Sequence, residues 1–172
     1  MKKYYYLFSI ILTLSLLPNF TYANSIHSIE PCEEVTTTYN KELGKIFLEI
    51  VRVRDYLYAI DINPYDIKDD SKELYKQLNF TLSNLNTLRS DLNFQKSTTK
   101  KTKNDVLLIA RLYAIIDILE ISVQEQINLV DQLLIDSNQH SRMFYSEMMT
   151  HIYYYLTSAN DMINYVADDY DF

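Results

Sequence analysis

Glu147 and His151, four residues apart, and the run Tyr153-Tyr154-Tyr155 just beyond them form the densest grouping of chemically versatile side chains in this chain. A carboxylate and an imidazole one helical turn apart could share a metal ion. Di-iron bundles do this with Glu-x-x-His pairs joined by further inward glutamates. Here the spacing is one residue longer, there is no second pair, and both residues sit off the apolar stripe of their segment. His27, His140 and His151 are too few and too scattered for a zinc set, and the Cys-x-x-Cys-His of covalent haem attachment does not occur. The acidic stretch Asp61, Asn63, Asp66, Asp69 and Asp70 lacks the turn glycine and closing glutamate of a calcium loop, and reads as a solvated linker. Nucleophilic catalysis needs a base and an orienting group, commonly framed by glycine loops, and this chain holds one glycine, Gly44. Neither a metal nor a cofactor is expected, and no enzymatic role.

The tyrosines point to a different chemistry. Successive helical residues turn by ~100°, so Tyr153, Tyr154 and Tyr155 cannot share one face. Tyr155 follows the apolar stripe of its segment, whereas Tyr154 points away from it. Stepping from Tyr154 by threes and fours collects Glu147, His151, Tyr154, Ser158 and Tyr165 on one mixed, solvent-facing flank. Such a flank suits contact with a partner, because tyrosine offers a large ring with little entropy to lose and a polar tip. Against that stands composition: tyrosine occurs 16 times, so some exposed rings are expected anyway.

A second candidate surface lies one segment earlier. Besides a regular core stripe, the segment around residues 103–135 carries Leu107, Ala114, Ile118 and Ile121 on another face. A helix apolar over most of its circumference must be covered on more than one side. The pattern predicts a homodimer or a protein partner, or a central helix flanked by its neighbours. Arg111, Asp117 and Glu120 interrupt it, which argues against a membrane span.

The elements that position these residues are read from apolar spacing. Val35, Tyr39, Leu43, Ile46, Ile50, Val53, Leu57 and Ile60 recur in threes and fours and predict a helix over about 33–61, stopped by Asn63-Pro64. Asp70-Ser71-Lys72-Glu73 reads as a capping box, opening a helix over about 70–95 with the stripe Leu74, Leu78, Leu82, Leu85, Leu88 and Leu92. The basic linker 96–103 leads to a third helix, about 103–135, with Leu108, Leu112, Ile115, Leu119, Val123, Val130 and Leu133 inward. The last helix, about 141–167, is carried by Tyr145, Met148, Ile152, Tyr155, Ala159, Ile163 and Val166, with 169–172 as an acidic tail. Four such helices joined by short linkers are best satisfied as an all-α, antiparallel up-down four-helix bundle over 33–168.

Residues 1–23 stand apart. Lys2 and Lys3, the apolar run Leu7 to Leu17, Pro18 and the small residues of Thr21-Tyr22-Ala23 read as a cleaved secretory signal peptide, followed by an extension, 24–32. Cleavage removes two of the 16 basic side chains and none of the 23 acidic ones, so residues 24–172 carry a formal charge of −9. That balance excludes nucleic acid as a natural partner, and no membrane association is expected after cleavage. Cys32 is the one cysteine, so no internal disulfide can form, and in an oxidising compartment it is either buried and inert or paired with another chain. The Asn79-Phe80-Thr81 sequon matters only in a eukaryotic secretory route. Taken together, the sequence predicts a periplasmic or secreted helical bundle that works by protein–protein binding, as an inhibitor, immunity factor, adaptor or host-directed factor. The alternative is a sensor-type bundle holding a ligand, metal or haem.

Overall fold

A computed structural model describes residues 41–98, 101–135, 140–170 and 172. They belong to one unit, Thr36–Phe172, and among them there are four helices and no strand. The helices are α1 (Lys41–Tyr58), α2 (Ile67–Thr98), α3 (Lys103–Ile135) and α4 (His140–Tyr170). The expected signal peptide, the extension with Cys32, and Val35 and Tyr39 of the first predicted helix lie outside the described residues.

The predicted stripes form the core. Leu43, Ile46, Ile50, Val53 and Leu57 of α1 are buried, as are Leu74, Leu78, Leu85, Leu88 and Leu92 of α2. In α3 all seven predicted inward residues are buried, from Leu108 to Leu133. In α4 Ile152, Ala159, Ile163 and Val166 are buried, while Tyr145, Met148 and Tyr155 are half-buried at the margin. At ~1.5 Å per residue the 33 residues of α3 make a rod of about 50 Å. It packs against all three other helices, whereas α2 and α4 share no contact among the described residues. This explains three residues the heptad-like stripe omitted. Ile109, Ile116 and Leu129 are buried because α3 is walled on two flanks rather than one.

Polar side chains tie the helices to one another. Near the start of α2, Tyr75 donates to the carboxylate of Asp131 near the end of α3, and near the end of α2 Asn93 accepts from Tyr113 at 2.7 Å. Arg89 of α2 pairs with Asp117 at 2.7 Å and with Glu120. Between α3 and α4, the Tyr170 hydroxyl donates to the Asn104 carbonyl at 3.2 Å. Arg54 ties α1 to Asn160 of α4 at 2.7 Å, and the Tyr145 hydroxyl ties α4 to the Ile62 carbonyl at 3.1 Å.

Boundaries differ from the sequence reading at three places. The second helix opens at Ile67, not at a capping box on Asp70. Upstream, the Asn63 side chain accepts the Tyr65 amide at 3.0 Å, and the Asp66 carbonyl receives the amides of Asp69 and Asp70. The turn that follows the Asn63-Pro64 stop thus supplies the helix start, and Asp70 falls within the first full turn. The same helix continues to Thr98, absorbing Lys96 and Ser97 of the expected linker. The acidic tail is not a tail: α4 runs to Tyr170, which is 3% exposed, and Phe172 stacks on Phe47 of α1 with centroids 4.5 Å apart. Tyr170 lies seven residues after Ile163 and four after Val166, so its ring extends the stripe and holds Asp168 and Asp169 in helix. The third start agrees with expectation and has a local cause. Thr102 Oγ1 accepts the Asp105 amide at 3.1 Å while the Asp105 carboxylate accepts the Thr102 amide at 3.0 Å, a reciprocal cap.

One part of the core is polar. Gln126 is 2% exposed and Ser122, one turn before it, is 0% exposed. Neither the Ser122 hydroxyl nor either polar atom of the Gln126 amide has a hydrogen-bond partner among the described residues. Beside Gln126, side chains of α1, α4 and the Ile60–Ile62 connection enclose a cavity of ≈ 10 Å³. A volume of that order accommodates about one water molecule.

Candidate functional site

Leu107, Arg111, Ala114, Ile118 and Ile121 follow one another along α3 in steps of four, three, four and three, and so form one edge of that helix. Along α4, Glu147, His151, Tyr154, Ser158, Tyr165 and Asp169 form an edge in the same way. Arg111 joins the two. Its guanidinium lies over the Tyr165 ring, 4.6 Å from the centroid, donates to the Tyr165 hydroxyl at 3.3 Å and pairs with the Asp169 carboxylate. The two candidate surfaces therefore border the same α3–α4 seam on the same outer side.

Burial along this face is uneven. Leu107 is 47% exposed and Ile121 42%, Ala114 is intermediate, and Ile118 is partly buried against the core. On α4, Tyr154 is 67% exposed and Tyr165 56%, with Glu147 and His151 exposed as well. The Tyr154 ring meets Tyr155 edge-on, with centroids 5.5 Å apart, and the Ser158 hydroxyl donates to the Tyr154 carbonyl at 2.8 Å. The result is a face with two aliphatic side chains at its α3 margin, two aromatic rings on its α4 margin and a held arginine between them. Burial works to lower the Arg111 pKa, but the hydrogen bond and charge of Asp169 outweigh it, so the pKa is raised and the guanidinium stays charged. Arg111 also lies 5.7 Å from the Tyr170 ring, which adds cation–π attraction on its inner side.

Sequence reasoning treated Arg111 as an interruption of an apolar face. Its signal was positional, since it stands four residues after Leu107 and three before Ala114 on the same edge. Other exposed apolar side chains were not foreseen. Among the described residues the largest apolar exposures belong to Ile135 at 79%, Met143 at 76% and Tyr65 at 74%, at the end of α3, the start of α4 and the turn before α2. Arg142 lies 5.8 Å from the Tyr65 ring, which places these positions at one end of the molecule.

Among the described residues, no group of three or more His, Cys, Asp or Glu side chains is placed to hold a metal ion. In the former calcium candidate, the Asn63 amide donates to Asp66 at 2.6 Å, which satisfies one of its carboxylate oxygens internally. Among those residues, too, no helix is long and apolar enough to cross a membrane. Comparison of the chain with protein-family models, with curated proteins and with solved structures gave no match.

Proposed function

We propose that this chain is an exported, antiparallel up-down four-helix bundle that acts by binding another protein across the outer side of its α3–α4 seam. The roles compatible with this reading are inhibitor, immunity factor, adaptor or host-directed factor, and none of them calls for catalysis or a cofactor. The observation that carries it is the exposure of Leu107 and Ile121 along one edge of α3 and of Tyr154 and Tyr165 along one edge of α4, two edges that Arg111 joins through Tyr165. Tyrosine and arginine are the side chains that most often dominate binding energy, and burying rigid rings costs little conformational freedom. Arg111 is held by Asp169 and Tyr165 in advance, so a partner meets a face that is already ordered. Export rests on the leader-like residues 1–23. The polar sequence and acidic charge of residues 24–172 fit release into a periplasm or the outside.

A photoreactive amino acid placed at position 121 or 154 of the processed chain tests the face, with position 86 on the outer side of α2 as the comparison. The expected result is one protein, or a second copy of this chain, trapped from 121 and 154 but not from 86. Equal trapping from all three positions, or a clean monomer by light scattering with no trapping in its native compartment, would overturn the reading.

A further inference from the structure

A different part of the molecule departs from its acidic character. Between the last turns of α2 and the first turns of α3 lies a cleft of ≈ 390 Å³, lined by Lys96, Lys101, Val106, Ile109, Ala110 and Tyr113. None of these residues is acidic, although the chain as a whole carries 23 acidic against 16 basic side chains. The walls are aliphatic or aromatic. Tyr113 presents its ring rather than a free hydroxyl, because that hydroxyl already donates to Asn93 at 2.7 Å. Among the described residues of the lining, the polar side-chain groups that remain are the two ammonium ends. Lys101 Nζ is shielded from solvent and has no hydrogen-bond partner among the described residues.

We infer that this cleft binds a single-chain amphiphile with an anionic head, an alkyl carboxylate or alkyl phosphate. Lys101 lines the cleft and its ammonium has no hydrogen-bond partner among the described residues, so an anion seated there offers it one after a small swing of its flexible four-carbon stem. The apolar wall of Val106, Ile109, Ala110 and the Tyr113 ring then has an alkyl chain to cover it, which free phosphate or acetate would not do. The volume falls at the lower end of the ~300–1,000 Å³ typical of small-molecule sites, which suits a medium chain and excludes a bulky lipid with two. Nothing in this assignment depends on the α3–α4 face: the cleft opens towards α2, and of its lining only Ala110 neighbours the Leu107–Ala114 edge.

Titration calorimetry of the whole processed chain tests it, using dodecanoate and dodecyl phosphate below their micellar concentrations, inorganic phosphate alone, and dodecyltrimethylammonium. The expected result is saturable one-to-one binding of at least one of the two anionic amphiphiles. That binding weakens by about tenfold or more in Lys101→Met and is lost in Ala110→Phe, which fills the wall, while Lys72→Met leaves it unchanged. Preference for one head over the other identifies the source of the anion, and either supports the site. Circular dichroism establishes that both variants keep their helices; should Ala110→Phe not, Lys101→Met alone decides. The inference is overturned if neither amphiphile saturates, if inorganic phosphate or the cationic amphiphile binds as tightly, or if Lys101→Met leaves affinity unchanged.

Discussion

Replacing Gln126 by methionine should make this protein more stable. Gln126 is 2% exposed, with neither end of its amide hydrogen-bonded among the described residues, so folding strips water from a donor and an acceptor without returning a partner. Mutational data put such a loss at ~1–3 kcal/mol. Methionine has nearly the same length and flexibility, fills the same space and carries no demanding polar group, so little packing is lost. For a chain of this size 1 kcal/mol corresponds to ~2–4 °C in Tm, so the expected gain is roughly 2–12 °C. Urea unfolding should show a higher midpoint at unchanged slope, because the surface exposed on unfolding is the same. Gln124→Met, on the exposed side of the same helix, is the control and should stay within about 0.5 kcal/mol of the parent. A loss of ~1 kcal/mol or more in Gln126→Met would refute the reasoning. It would mean that the amide is hydrogen-bonded in solution, through the ≈ 10 Å³ cavity beside it.

Two further outcomes follow from the geometry. Leu112→Ala, at a side chain 0% exposed, should cost ~2–5 kcal/mol in chemical unfolding, whereas Leu107→Ala on the outer edge should cost less than about 1 kcal/mol; equal costs would mean that Leu107 is covered in solution. Burial first, then the hydrogen bond to Asp131, pushes the Tyr75 phenol from 10.0 up to about 12. A raised value favours the neutral phenol in the folded state, so its contribution is whole below pH 10 and is lost as pH climbs from 10 towards 12. Melting temperatures should fall through that window, less steeply in Tyr75→Phe; identical slopes would remove the Tyr75–Asp131 contact from the account.

The helices could be read from spacing because each must bury one stripe, and Leu74 to Leu92 or Leu108 to Leu133 leave no other period open. The start of α3 was equally readable, since Thr102 and Asp105 carry their own cap. What the spacing could not show was which neighbour lies on which flank. Ile109 and Ile116 are covered by the packing around α3, while Leu107 and Ile121, no less apolar, are exposed at its outer edge. The C-terminal residues were misjudged on charge: Asp168 and Asp169 drew attention from Tyr170, whose ring continues the α4 stripe. Arg111 was legible as an exception but not as a link, because its partners Tyr165 and Asp169 stand 54 and 58 residues away. The two halves of the candidate face were each visible in the sequence, and their meeting across one seam required the fold.

Among the described residues α2 and α4 do not touch, and α3 stands between them as a party wall. Prying α4 off bares one side of α3, and prying α2 off bares another. Neither hairpin keeps a closed interior once the other is gone. Breathing motions should therefore stay small until the whole body opens at once, and the backbone amides of α3 should be the last to trade their hydrogens with solvent.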